Sequence, residues 1–249
     1  MHCLDIRIDT YKKNEILETI KRILATQKQY LLFTPNPEML VDAQTDHYFK
    51  EVLNNGDINV CDGKGIQLWS KGRIPRITGV DLMQDICALA ENEWKSVYLL
   101  GSGDDDVLKK TKVYLQEKYP NLRIAGVHKG PQLKEEGERL IYLNPTEQDA
   151  VLEDIILSAP DILFVAFGHK KQEKWMYEHL PSLPSVKVAM GIGGTFDFLS
   201  GKQVRAPKIV RILGFEWLWR LIRQPSRWKR IWKAFVVFSS LCIKEKITK

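Results

Sequence analysis

An aspartate at the tip of an apolar run is the first residue in this sequence placed to do chemistry. In NVCDGKGIQLW, Asp62 follows Val60 and Cys61 and precedes a Gly-Lys-Gly turn. A carboxylate at the mouth of a sheet, partly withdrawn from water, can act as a general base, because burial raises its pKa toward the working pH. Asp-Gly is also ordinary turn chemistry, so position rather than residue type carries that reading. TPNPE sets Thr34 and Asn36 at the end of another apolar run, a hydroxyl and an amide to flank such a base. MGIGGTFDFLSGK ends a third run with three glycines in four residues. Backbone without Cβ atoms can approach a phosphate closely, which fits Gly193, Gly194 and Thr195 to a diphosphate or nucleotide. A sharp turn with Thr195 capping the next helix fits the same residues.

Two further phrases are weaker. YLLGSGDDDVLKK puts Gly101 and Ser102 between a strand and a helix, where N–H groups attract anions. Its acids, Asp104–Asp106, equally suit a helix cap, and the third glycine of a dinucleotide fingerprint is missing. FGHKKQEKW offers His169 with no visible partner, then Lys170, Lys171 and Gln172, which read as anion-binding and hydrogen-bonding groups facing a pocket. The Asp104–Asp106 run could also be read as an acidic metal-binding motif of nucleotide-sugar enzymes, but acids are expected at a helix start, and no metal or cofactor is expected. The cysteines Cys3, Cys61, Cys87 and Cys242 are scattered, which argues against zinc or a disulfide framework and for reduced thiols.

The elements that must carry these residues can be read from periodicity. QYLLFTPN, DINVCDG, SVYLLGSG, RIAGVHKG, DILFVAFG and KVAMGIGG are short apolar runs ending in Gly, Asn or Asp. Amphipathic stretches separate most of them. In EILETIKRIL, Ile16, Ile20, Ile23 and Leu24 recur at helical spacing, and GVDLMQDICALAENE turns Val80, Met83, Ile86, Cys87 and Leu89 or Ala90 inward. Strand–helix alternation with near-continuous apolar strands predicts an α/β fold, a doubly wound, mostly parallel sheet whose strand ends gather the ligand.

The last fifth is different. Residues 202–249 hold 13 Lys/Arg against two acids, a net +11, whereas residues 1–201 sum to −5. GFEWLWRLIRQPSRWKRIWKAF contains four tryptophans, four arginines and one acid, Glu216. The expected division is a core over 1–201 and a basic, Trp-rich helical appendage over 202–249, broken at Pro225. Trp228, Trp232 and Phe235 share a helical face edged by Lys229 and Lys233, a pattern suited to anionic lipid headgroups. Packing of the same aromatics on the core is the plainer reading. Self-association would also cover an exposed apolar tail. AFVVFSSLCI is about half of the ~20 residues a spanning helix needs, so the chain is expected not to cross a membrane. Its N-terminus lacks the apolar run of a signal peptide. A nucleic-acid binder would share the basic, aromatic composition, but no binding module is present, and nucleic acid is not expected as partner. An NAD-dependent oxidoreductase would need the absent fingerprint.

Taken together and in order, TPNPEMLVDAQ, CDGKGIQLW, RITGVDL, GHKKQEKW, GIGGTFDFLSGKQVRAP and EWLWRLIRQPSRWKR resemble the WecG/TagA/CpsF glycosyltransferases over about residues 4–235. The resemblance implies a Rossmann-like core and a membrane-associated, inverting, metal-independent enzyme. Such an enzyme would move an N-acetylhexosamine, typically N-acetylmannosamine from its UDP conjugate, onto polyprenyl-diphosphate-linked N-acetylglucosamine. It would work at the cytoplasmic face of the cell membrane, in wall teichoic acid, common-antigen or capsule synthesis. By motif position, Asp62 would be the base, with Thr34 and Asn36 beside it. Arg76 and Gln172 would line the pocket, and Arg220, Arg227 and Arg230 would be the appendage arginines that stabilise the leaving diphosphate. Three departures touch the pocket rim: Cys61 stands where the family has proline, His169-Lys170 where it has Ala-Pro, and GPQLKEEGERLIYLNPTEQDAV is longer or less regular than usual.

Overall fold

The six apolar runs become the six strands of one sheet. The computed structural model describes residues 1–248, with side chains through Glu245. An N-terminal hairpin, β1 (His2–Cys3) and β2 (Ile6–Arg7), precedes β3 (Tyr30–Phe33), β4 (Ile58–Asn59), β5 (Ser96–Gly101) and β6 (Arg123–His128). A second hairpin, β7 (Leu133–Glu136) and β8 (Arg139–Tyr142), is followed by β9 (Ile162–Ala166) and β10 (Val188–Gly191). The central sheet runs β4-β3-β10-β9-β5-β6 with every pairing parallel.

Helices cover both faces: α1 (Lys13–Leu24), α2 (Pro37–Asp42), α3 (His47–Asn54), α4 (Lys64–Trp69), α5 (Gly79–Asn92), α6 (Asp105–Lys118), α7 (Pro145–Ser158), α8 (Lys171–His179) and α9 (Thr195–Leu199). Alternation along each strand sorts the core into two layers. Phe33, Tyr98, Leu100, Leu163 and Val165 pack with residues of α2, α3, α7 and α8, such as Phe49, Ile155 and Trp175. Leu32, Val97, Leu99, Phe164 and Met190 pack on the other side with α1, α5, α6 and α9. Ile16, Ile20, Ile23 and Leu24 of α1 are buried as their spacing predicts. In α5 the buried set is Leu82, Met83, Ile86, Cys87 and Ala90, while Val80 is only half-buried and faces a cavity.

The β7–β8 hairpin has no counterpart in the apolar pattern because charge holds it. Fully buried Lys174 donates to Asp46 at 2.8 Å, Glu135 at 3.1 Å and the Glu138 carbonyl at 2.8 Å, tying the hairpin to α3 and α8. Lys170 joins the cluster, 2.9 Å from Asp46. That contact turns Lys170 away from the pocket that the sequence assigned it to.

The tail forms α10 (Lys208–Leu213) and α11 (Glu216–Arg223), breaks into a 3-10 turn at Pro225–Arg227 as expected, and continues as α12 (Trp228–Trp232). A π-helical turn, Lys233–Val237, leads into α13 (Phe238–Thr248). Phe238 and Cys242 are buried in the same cluster as Cys3, so α13 rejoins the core packing. Among the described residues no helix is long and apolar enough to cross a membrane.

Gly101 is explained by packing. It has φ +110°, and a Cβ there would stand 2.7 Å from the Ala166 carbonyl carbon of the neighbouring strand. Gly101→Ala is expected to lose about 3 kcal/mol of stability through strained backbone and overpacking, measured by urea unfolding.

Candidate active site

Loops from three strands and one helix end converge on Asp62. The Asp62 N–H donates to the Pro35 carbonyl at 3.0 Å and the Ile77 N–H to the Cys61 carbonyl at 2.9 Å, which stitches CDGKG between TPNPE and RITG. Asp62 Oδ2 accepts the Gly79 N–H at 3.1 Å, at the first turn of α5, where the helix dipole favours an anion. The ideal Cβ position of Gly79 is 3.4 Å from Thr34 Oγ1 and 3.5 Å from Asp62 Oδ2, so hydroxyl and carboxylate face the same turn. Burial pushes the Asp62 pKa up; the Gly79 N–H and the charges of Arg76 and Arg220 work against that rise.

Two cavities meet at this carboxylate. One, about 410 Å³, is walled by Thr34, Gln172, Gly193, Gly194 and Thr195. The other, about 230 Å³, is walled by Arg76, Glu216 and the apolar Trp217, Ile231, Ala234 and Phe235. Asn36, Asp62, Val80, Phe198, Arg220, Arg227 and Arg230 border both. A third cavity, about 440 Å³, lies beyond Phe167 and Lys171, which it shares with the first, and includes Ser102, Lys129 and Gln132.

The three arginines crowd one another. Arg227 has its pKa lowered to about 10, by burial first and then by Arg220 and Arg230. Burial also lowers that of Arg220. Arg220 lies over the Phe198 ring at 5.2 Å, and its buried Nε has no hydrogen-bond partner among the described residues. Arg227 donates to Gln224. Two buried or half-buried guanidiniums with spare donors beside a glycine loop make a strong site for a multiply charged anion.

Arg230 is differently employed. It holds Glu38 by a two-point contact at 2.8 and 2.9 Å, while Lys233 reaches Asp42 at 2.6 Å. His169 bridges the pairs, 2.9 Å from Asp42 and 3.2 Å from Arg230. Burial opposes the charge of Asp42, yet hydrogen bonds from His169 and Lys233 hold its pKa below the ordinary value. Glu38, Asp42 and His169 have the makings of a cation site, with ligand atoms within 4.8 Å of one another, but the appendage supplies the cations itself. At the other end of the appendage, Glu216 receives Arg76 at 3.5 Å and Arg205 at 3.6 Å. Arg76 also donates to the Arg211 carbonyl at 3.1 Å.

The remaining candidates separate. Asn36 borders the site but its Oδ1 caps α2, accepting the Met39 N–H at 3.1 Å. Gly194, not Thr195, is the N-cap of α9; the Thr195 hydroxyl donates to the Ile192 carbonyl at 2.6 Å. Asp104 caps α6 and pairs with Lys202 at 2.8 Å. Gly101 borders none of the three cavities described, and Ser102 faces only the third. Trp228, Trp232 and Phe235 are all exposed, Phe235 also stacking 4.4 Å from Trp217, while Lys233 pairs with Asp42. Sequence reasoning missed Glu38, Asp42 and the partners of His169, because contacts between residues 127 to 192 positions apart leave no local pattern.

The sequence profile of the glycosyl transferase WecG/TagA/CpsF family matches residues 1–249. The chain belongs to that family. It is a glycosyltransferase. Relatives from Staphylococcus aureus strains MW2 and NCTC 8325 / PS 47 are each 32% identical over 234 residues, spanning 92% of this chain and 85% of the relative. Both are named N-acetylglucosaminyldiphosphoundecaprenol N-acetyl-beta-D-mannosaminyltransferase.

In this glycosyltransferase the Asp42–Lys233 pair is testable by charge exchange. Asp42→Lys and Lys233→Asp are each expected to loosen the appendage, read as faster limited proteolysis after residue 202. The double exchange is expected to restore protection. Additive damage would show that the pair does not hold the appendage.

Proposed function

We propose that this enzyme transfers N-acetylmannosamine from its UDP conjugate to a polyprenyl-diphosphate-linked N-acetylglucosamine, with inversion, in wall teichoic acid or capsule synthesis. The observation that carries the reading is the place of Asp62, at the junction of a polar cavity and a cavity with an apolar wall. The names of the relatives favour this donor and acceptor. The UDP-sugar fits the polar cavity, with its diphosphate between the glycine loop and Arg220 and Arg227. Its nucleoside extends past Phe167 toward the third cavity. The acceptor enters from the appendage side, its diphosphate near Arg76 and its lipid along Trp217 and Phe235.

Chemistry follows from that placement. The acceptor hydroxyl attacks the anomeric carbon from the face opposite UDP, and Asp62 takes its proton. As the new C–O bond forms, the bond from the anomeric carbon to the diphosphate oxygen breaks, and charge grows on UDP. Arg220, Arg227 and the N–H groups of the glycine loop stabilise that charge without a metal. Thr34 and the free amide end of Asn36 orient sugar hydroxyls. Asp62→Asn is expected to lower turnover by about 10²–10⁴-fold while UDP still binds. In the native enzyme activity should rise with pH along a limb whose midpoint lies above the ordinary carboxylate range, because the raised pKa belongs to a base that works deprotonated. Near-normal turnover of Asp62→Asn would remove Asp62 from the mechanism.

The same reading puts the enzyme on the inner face of the cell membrane. The exposed face suited to lipid is broader than Trp228 and Trp232. Ile209, Ile212 and Ile222 of α10 and α11 are 72%, 68% and 69% exposed, and Leu213, Phe215 and Leu218 accompany them. Lys229 stands beside Trp228 at the rim. Apolar side chains ringed by cations bind anionic bilayers by burial and charge together. Ile212→Asp with Ile222→Asp is expected to reduce flotation with anionic vesicles at least tenfold, each lost aliphatic side chain being worth about 1.5–3 kcal/mol. Unchanged flotation would move the docking face elsewhere.

A further inference from the structure

Behind the glycine loop lies a buried carboxyl that the transfer chemistry does not touch. Glu173 is fully buried, and it borders none of the cavities described. Its Oε1 accepts Gln172 Nε2 at 2.7 Å, and its Oε2 has no partner among the described residues. Gln172 in turn accepts the Gly193 N–H on Oε1 at 2.9 Å. Adjacent residues on a helix normally point apart. Here both lean onto β10, and Gly191 makes the room. A Cβ at Gly191 would stand 2.7 Å from Gln172 Nε2 and 3.1 Å from Glu173 Oε1.

We propose that Glu173 is a positioning residue for the donor diphosphate, acting through the Gln172 amide on the backbone of the glycine loop. The proposal rests on the reading that the polar cavity takes a UDP-sugar. An amide side chain has two ends of nearly equal shape, one donating and one accepting. Only the accepting end can serve the Gly193 N–H. Glu173 offers an acceptor and so selects the rotamer that presents Nε2 to itself and Oε1 to Gly193. With the amide reversed, Nε2 would oppose the Gly193 N–H, donor against donor. Glycine takes either sign of φ freely, so the φ +53° of Gly193 is one choice among many that its contacts must fix. Its neighbour Gly194 is the α9 cap, and the ideal Cβ position there is 3.9 Å from Arg220 Nη2. The Gly194 N–H makes no hydrogen bond among the described residues. Fixing Gly193 thus fixes a backbone donor beside Arg220, whose Nε has no hydrogen-bond partner among the described residues. Glu173 works as a hydrogen-bond acceptor whatever its charge, since either protonation state keeps an acceptor oxygen toward Gln172.

The test is UDP titration by calorimetry, with donor and acceptor kinetics, on the wild type, Glu173→Ala, Glu173→Gln and Gly191→Ala. Thermal unfolding confirms that each variant is folded. Glu173→Ala removes the acceptor and Gly191→Ala pushes the amide from the opposite side. Both are expected to weaken UDP binding about tenfold and to raise donor KM in step, short of the ~100-fold that a 1 Å misplacement can cost. Acceptor KM should stay level, and amide exchange at residues 192–194 should quicken. Glu173→Gln keeps an acceptor and is expected to bind UDP as the wild type does. Unchanged UDP affinity in Glu173→Ala and Gly191→Ala would overturn the proposal, as would a Glu173→Gln as weak as Glu173→Ala. A wild type that fails to bind UDP would instead refute the donor reading, and this role for Glu173 with it.

Discussion

A strongly cationic segment can close over the mouth of a sheet only where acids of the core meet it. Here they do so at two places. Glu38 and Asp42 receive Arg230 and Lys233, and Asp81 receives Arg205 and, at 3.7 Å, Arg211. Exposed ion pairs contribute little, but the side chains of Glu38 and Asp42 are only 11% and 12% exposed, and their pairs share His169. The carboxylates are largely desolvated while Arg230 and Lys233 stay 45% and 39% exposed, so these pairs stand between a surface pair and a buried one. The pairing is incomplete: among the described residues Arg220 and Arg227, between the two anchored ends, make no salt bridge. The surplus positive charge stands next to Asp62, whose burial raises its pKa.

The appendage therefore has two faces with different solvents. Arg230, Lys233 and Trp217 turn toward the core or the cavities, while Ile209, Ile212, Ile222, Trp228 and Trp232 remain exposed and Phe235 borders both. An ordinary α-helix of this length would drift through these directions by 100° a residue. Pro225 and the π-helical turn at Lys233–Val237 each reset the phase, so that inward and outward residues stay on their own sides.

Much of this was legible in the sequence, and the reason is local. All six strands lay in short apolar runs, since a parallel sheet buried on both faces needs nothing else of its strands. Asp62, Thr34, the glycine loop and the break at Pro225 were visible because each combines a residue type with a position at the end of an element. What stayed hidden depends on distant partners. Lys170 read as a pocket cation, yet Asp46 and Glu135 claim it from α3 and the hairpin. Arg230 and Gln172 do line the polar cavity, but the bonds they make to Glu38 and Gly193 left no mark in the sequence. Gly101 matched a phosphate loop in type, but the close approach of Ala166 accounts for it.

The meeting of the two chain ends has a consequence for the order of assembly. The Leu4 N–H donates to Glu245 Oε2 at 3.3 Å across 241 residues, and Cys3 shares its cluster with Cys242. The sheet, with Asp62 and the glycine loop, is complete by residue 195 and can pack while synthesis continues, since domains fold largely from the N-terminal side as the chain emerges. The arginines follow in the chain, and α13 packs on the N-terminal hairpin. A truncated or unfinished chain thus holds a base in open water and no anion clamp. The base is thus made well before the arginines that stand beside it.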